Sequence, residues 1–324
     1  MSIRIGIVGY GNLGRGVETA IGLQADMDLV GVFTRRDPAE VATSGAEVFA
    51  LDSLASRRGE IDVLVLCGGS KSDLPEQTPE LAAQFSVVDS YDNHGQIPEH
   101  FASVDAAARA AGTTAVISTG WDPGLFSINR LYGEAILAQG ETYTFWGRGL
   151  SQGHSDALRR VPGVAGAVQY TIPADEAIQR VRAGEQPELT TRDKHDRECF
   201  VVLKDGADPE QVREAIVTMP DYFAPYDTTV TFISAEELAR DHAGMPHGGF
   251  VIRSGESSPG ATQTIEYRLQ LDSNPEFTAS VLVAYARAAA RLAATGAHGA
   301  KTPFDIAPGL LSPKSAAQLR AELL

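Results

Sequence analysis

Three groups of residues have the types and spacings that chemistry needs. The first is Gly9-Tyr10-Gly11-Asn12-Leu13-Gly14, a G-x-G-x-x-G run between the apolar stretch Ile3 to Val8 and a helical pattern. Gly9 permits a tight turn, Gly11 lets backbone N–H groups approach a pyrophosphate, and Gly14 lets helix and strand pack closely. The helix N-terminus adds partial positive charge for the phosphates. The second group is Thr34-Arg35-Arg36, at the end of another apolar run, Asp28 to Phe33. An acidic residue there would accept from a ribose 2′-OH, whereas a hydroxyl and two guanidiniums suit a 2′-phosphate. The expected cofactor is therefore NADP, not NAD. The plainer alternative is that Arg35 and Arg36 are surface loop charges. The third group is a pair of carboxylates, Asp92 in Ser90-Tyr91-Asp92-Asn93-His94 and Asp122 in Thr119-Gly120-Trp121-Asp122-Pro123-Gly124. Removing hydride from a carbon that bears an amine requires the ammonium to lose a proton beside an acceptor, and paired carboxylates suit a cationic amine. Each also has a purely structural reading: Asp122 as an N-cap before Pro-Gly, Asp92 as an Asx turn.

The elements that must position these groups follow from periodicity. A helix is expected from Asn12 to about Ala25, strands over 62–66, 85–89 and 114–119, and a helix over 98–111 closed by Gly112. The run at 62–66 is continuously apolar, as in a strand buried on both faces, and it ends in the small-residue loop Cys67-Gly68-Gly69-Ser70. Ligands of open α/β sheets sit at such strand ends. Strand and helix alternate, which predicts a doubly wound parallel sheet of Rossmann type. Beyond about residue 120 the pattern changes to polar–apolar alternation, as in Thr262-Gln263-Thr264-Ile265-Glu266-Tyr267. Strands are expected near 141–147, 167–172, 198–203, 228–233, 249–253 and 262–271, with helices near 175–183, 209–218 and 235–242 between them. This predicts a second, α+β domain on a mainly antiparallel sheet. The expected division is 1–120, rejoined by about 297–324, against 121–296. Asn274-Pro275-Glu276 opens a long Ala-rich helix that Gly296 stops.

Other residues carry open readings. Gln152 and Gly153 sit in a Ser/Gly loop before a helix, which offers N–H groups to a carboxylate or is simply a capped helix. Trp146 either walls a pocket or fills core. His247, between Pro246 and two glycines, has small neighbours that would let a ligand approach, although a lone His is more often structural. Arg197, ahead of an apolar strand, would need an anionic partner if buried. Thr171 ends a strand, and Asn274 is a ready N-cap. The net charge of −15 argues against nucleic acid and anionic membranes as partners. Two cysteines, Cys67 and Cys199, are too few for a disulfide framework, and no compact metal-ligand spacing occurs, so no metal is expected. No stretch has the roughly 18 apolar residues of a membrane span, and no signal pattern precedes the first strand, which makes a cytoplasmic setting the expectation.

The segments GYGNLG, TRR, SYDNH, STGWDPG, FWGRGLSQGHSDALRRVPG, MPDYF, GMPHGG and LDSNPEF together resemble the meso-diaminopimelate dehydrogenase family over about residues 3–320. The resemblance is weakest at 38–60 and over the last fifteen residues. It implies NADP-dependent oxidative deamination at the D-centre of meso-2,6-diaminopimelate, giving L-2-amino-6-oxopimelate and ammonium reversibly, in a lysine precursor pathway and in a cytoplasmic homodimer. It implies that Asp92 and Asp122 hold the D-amino group beside the nicotinamide. Trp146, Gln152 and Gly153 would line the reacting end, Thr171, Arg197 and His247 would hold the distal L-carboxylate, and Asn274 the distal amino group. The implied cofactor set is Gly9 to Leu13, Thr34 to Arg36, Cys67 to Ser70, Ser90 to Asp92 and Thr119 to Pro123. The proton acceptor stays open among Asp92, Asp122 and water. Two rival functions remain: a related NADP-dependent D-amino acid dehydrogenase with another substrate, and a non-catalytic NADP sensor on the same fold.

Overall fold

The structure is a computed structural model describing residues 2–324. Its strands run β1 Ile3–Val8, β2 Met27–Thr34, β3 Val48–Ala50, β4 Val63–Leu66, β5 Val87–Asp89, β6 Thr114–Val116 and β7 Gln139–Trp146. They continue with β8 Gly149–Leu150, β9 Val164–Pro173, β10 His195–Leu203, β11 Asp227–Phe232, β12 His247–Ser258, β13 Ala261–Leu271 and β14 Gly299–Lys301. By internal contacts the chain divides into two units, Met1–Ile128 with Pro275–Leu324, and Asn129–Asn274.

The first unit holds a seven-stranded sheet in the order β14-β6-β5-β4-β1-β2-β3, parallel at every pair. The continuous apolar run of β4 is explained by its two faces. Val63 and Val65 join a core with Ile5, Ile7 and the helix Asn274–Ala294, while Leu64 and Leu66 join another with Leu81, Val87 and Val104. Successive side chains of a strand point to opposite faces, so a sheet covered on both sides demands apolar residues throughout. Strand order reverses between β1 and β4, and a ligand of such a sheet binds outside the strand C-termini at that switch. The long helix is tied down by fully buried Arg287, which donates to both Asp26 oxygens at 2.7 Å and to the Leu311 carbonyl at 2.8 Å.

The short strand β3, which is not among the expected strands, is three residues long and half-buried at the sheet edge. One local expectation is corrected. The strand expected over 114–119 leaves the ladder after Val116, because Ser118 takes a left-handed conformation (φ 55°). Thr119 is therefore a loop residue.

The second unit contains two sheets. One has the order β13-β12-β7 and is antiparallel throughout. The other has the order β11-β10-β9-β8, with β10 and β11 parallel and the remaining pairs antiparallel. The alternation seen at 262–267 belongs to β13, an edge strand with one wetter face. Strand β12 begins at His247, two residues earlier than its apolar pattern, so His247 is a ladder residue and not part of a preceding turn.

Candidate active site

In the first unit, Gly9 takes φ +89°, a left-handed conformation suited to glycine, and its N–H donates to the Phe33 carbonyl. A Cβ on Gly14 would sit 2.3 Å from the Gly9 carbonyl oxygen, so that helix can approach the turn only with glycine. A Cβ on Gly11 would meet nothing within 4 Å, which leaves open space beside the backbone where a phosphate would come. The helix Asn12–Gly22 starts there with no side-chain cap and no acidic residue in its first turn. Its N-terminal N–H groups are thus placed for an anion. Tyr10 contributes only backbone to this turn: its ring is buried and its hydroxyl donates to Glu18. Burial, reinforced by that carboxylate, pushes its pKa up.

Arg36 donates to the Tyr10 carbonyl at 2.7 Å, and its N–H donates to the Thr34 hydroxyl. Arg35 pairs with Asp73. Arg35 and Arg36 are both exposed and border a cleft of about 610 Å³ with Thr34, Ser72 and the carboxylates of Asp52, Asp73, Glu76 and Glu80. Asp73 also accepts from the Gly69 N–H, and that bond, with Arg35, holds its carboxyl below the usual range. The Cys67–Ser70 loop follows β4, and burial pushes the Cys67 thiol far up. Ser70 reaches the next loop, its hydroxyl accepting the Asp92 N–H at 2.9 Å. Asp92 and Asp122 lie on the loops that leave the neighbouring parallel strands β5 and β6. Trp121 is buried edge-on to Phe126, and the helix Leu125–Ile136 begins just beyond Asp122. Among the described residues no group of three or more His, Cys, Asp or Glu could hold a metal ion.

In the second unit, Arg197 faces Thr171 across the β9–β10 ladder and donates to its hydroxyl at 2.7 Å. Only 5% exposed, it pairs with no carboxylate among the described residues, its Nε is unbonded, and its guanidinium stacks 3.6 Å over the Tyr226 ring. Burial pulls its pKa down, yet a guanidinium remains charged. A buried cation without an anion is costly, and a bound carboxylate would relieve it. The surrounding backbone converges on this point. A Cβ on Gly147 would meet the Thr171 carbonyl oxygen at 2.1 Å, and one on Gly149 would lie 2.4 Å from the His247 ring. Gly149 also pairs with Thr171. His247 accepts the Gly248 N–H on Nδ1 and borders a cleft of about 480 Å³ with Gly147 and Arg268. Asn274 begins its helix, and its N–H donates to the Met245 carbonyl; Met245 in turn lies beside the Gln152 amide. Gly153 is open on the helix Gln152–Arg159, which Ser151 caps.

Trp146 is not core. It ends β7 at 38% exposure, with its N–H held by His195 Nε2 at 2.8 Å and its ring stacked on that imidazole. Burial first, then Arg197 and Lys194, pull His195 down to about 3, so the accepting nitrogen stays unprotonated. Sequence reasoning missed His195, Asp73 and Tyr226. Each acts by holding another residue, and a charged or aromatic residue in a loop or at a strand start carries no local sign of that duty.

The chain is similar to known proteins along its whole length. A family described as the diaminopimelic acid dehydrogenase C-terminal domain matches residues 120–273. A meso-diaminopimelate D-dehydrogenase of Ureibacillus thermosphaericus is 64% identical, covering 99% of both chains. That of Corynebacterium glutamicum is 52% identical, covering 97% of both. The structure of the C. glutamicum enzyme in complex with DAP superposes with a TM-score of 0.93 at 50% identity, over 100% of this chain and 99% of that one. An engineered D-amino acid dehydrogenase bound to NADP+ gives 0.88 at 48% identity over the full length of both.

Proposed function

We infer, from a chain that belongs to the meso-diaminopimelate D-dehydrogenase family, that this protein performs NADP-dependent oxidative deamination of meso-2,6-diaminopimelate at its D-centre. The products are L-2-amino-6-oxopimelate and ammonium, and the reverse is reductive amination. The residues fit NADP: an uncapped helix N-terminus lies beside the open backbone of Gly11, and Thr34, Arg35 and Arg36 at the end of β2 are the groups that would meet a 2′-phosphate. When bound, the cofactor supplies the hydride acceptor. In this reading Asp92 and Asp122 receive the D-ammonium, orient its carbon and stand by as proton acceptors, with water as the third candidate. Loss of hydride leaves an iminium carbon, which water attacks to release ammonium. Trp146, Gln152 and Gly153 wall the reacting end, Thr171, Arg197 and His247 hold the distal carboxylate, and Asn274 the distal amino group. A wrong isomer would leave buried polar groups unpaired, which discriminates strongly.

The single observation that carries this reading is the desolvated Arg197 guanidinium beside Thr171, ion-paired with no carboxylate among the described residues. A homodimer in a cytoplasmic lysine pathway is part of the proposal; no helix of the described residues is long and apolar enough to cross a membrane. The decisive experiment measures NADPH formation with the meso, L,L and D,D isomers, with NADP and NAD. Turnover confined to substrates with a D-centre, meso foremost and NADP preferred, is expected; no turnover with meso substrate would sink the proposal. The second reading is another D-amino acid substrate on the same fold, which the likeness to an engineered D-amino acid dehydrogenase favours. A panel of monocarboxylic D-amino acids outpacing the meso isomer would select it.

A further inference from the structure

We propose that Asp89 is a positioning residue that sets both aspartate-bearing loops from one carboxylate. Asp89 ends β5 and is fully buried. Its two oxygens face different parts of the fold. Oδ1 accepts the Tyr91 N–H at 3.1 Å and the Ser118 N–H at 2.8 Å. Tyr91 immediately precedes Asp92, and Ser118 lies four residues before Asp122 in the other loop. Oδ2 accepts the Thr78 hydroxyl at 2.8 Å and lies 2.7 Å from His100 Nε2, both on helices outside the sheet. The Asp89 backbone carbonyl takes two further bonds from the second loop, from the Thr119 N–H and the Thr119 hydroxyl. One residue therefore ties the start of both loops to the helical layer.

A buried carboxylate is tolerated only when its lone pairs are used, and here four donors address it. The Ser118 backbone, at φ 55°, is in a region that non-glycine residues leave unless something holds them. Oδ1 accepts the N–H of that strained residue. Without it, the Ser118 amide loses its partner, and the loop that leads to Asp122 loses the contact that fixes its departure from β6. The Tyr91 amide is freed in the same step, and with it the start of the segment that carries Asp92. Two groups that must meet one amine would lose registry together, and misplacement of about 1 Å costs on the order of a hundredfold in rate. This role rests on the reading of Asp92 and Asp122 as the amine-holding pair.

The two oxygens make the role separable. In Asp89→Ala both bonds to the loops vanish; kcat with meso-diaminopimelate should fall about a hundredfold, and the NADP dissociation constant should rise too, since the same two loops are read as bordering the cofactor. Asp89→Asn retains a carbonyl oxygen for the two backbone donors and turns its NH2 toward the Thr78 hydroxyl and His100. It should recover kcat to within about tenfold of the parent. Thr78→Val removes only an Oδ2 partner, and should lower the melting temperature with kcat unchanged. Hydrogen exchange of the Tyr91 and Ser118 amides in the holoenzyme covers the case in which the alanine variant does not fold. Both should be strongly protected in the parent and in Thr78→Val. Rapid exchange at either amide, a parental kcat in Asp89→Ala, or an asparagine variant as slow as the alanine one would each overturn the proposal. The exchange arm needs no substrate, so a parent enzyme silent toward meso-diaminopimelate with both amides protected would overturn the functional reading and leave the tether standing.

Discussion

Replacing Arg197 by Met tests the substrate end most sharply, because stability and activity should move independently. The guanidinium donates to Thr171, engages Tyr226 by stacking and a side-chain hydrogen bond, and its Nε is unbonded. A substrate carboxylate would take two charge-assisted hydrogen bonds, each contributing about 1.5–3 kcal/mol. Allowing for non-additivity, the loss should be about 3–4 kcal/mol, a fall in kcat/KM of about 10²- to 10³-fold. Most of it should appear in KM, since the group binds ground and transition states alike. Folding has little to lose. Met fills a similar volume and removes a desolvated charge, which offsets the lost stacking of about 1–2 kcal/mol. The melting temperature should stay within about 4 °C of the parent. Initial rates over a substrate titration, with thermal unfolding of the apo and NADP-bound protein, measure both quantities. A variant that unfolds early, or that loses affinity for NADP alone, would refute the placement of Arg197 as the carboxylate's partner.

Three more outcomes are expected. His195 is held near 3 against an ordinary 6.5, so below pH 6.5 the unfolded chain binds a proton that the folded chain refuses. Stability should then fall by up to about 1.4 kcal/mol per pH unit on acidification, and His195→Gln should remove that component from urea unfolding curves compared at about pH 7 and 5.5. An unchanged slope would deny the buried neutral imidazole. Arg36→Ala should raise the KM for NADP about 10- to 100-fold and leave that for NAD nearly alone; equal losses for both would move Arg36 off the 2′-phosphate. Gly14→Ala, whose Cβ would meet the Gly9 carbonyl oxygen at 2.3 Å, should weaken NADP by about tenfold or more by displacing the turn. Parental affinity in calorimetry would count against that packing.

The sequence alone carried whatever is local or periodic. The glycine turn before Asn12, the unbroken apolar run of β4 and the alternation in β13 are all written in consecutive residues, because backbone geometry and two-sided burial act on neighbours. Arg35 and Arg36 could be read as phosphate partners for the same reason: their distance from the glycines along the chain is set by one βαβ unit. The tertiary structure alone decided which residues hold the others. Asp89 is separated by 29 residues from Ser118, and Trp146 by 49 from His195. The edge strand β3 and the left-handed Ser118 likewise have no signature of their own. A hydrogen bond between distant segments depends on how sheets stack their strands, and a buried charge declares its purpose only once its surroundings are known. Arg197 shows both halves: its residue type said that it wanted an anion, and only the fold showed that it is buried against Thr171 and ion-paired with no carboxylate among the described residues.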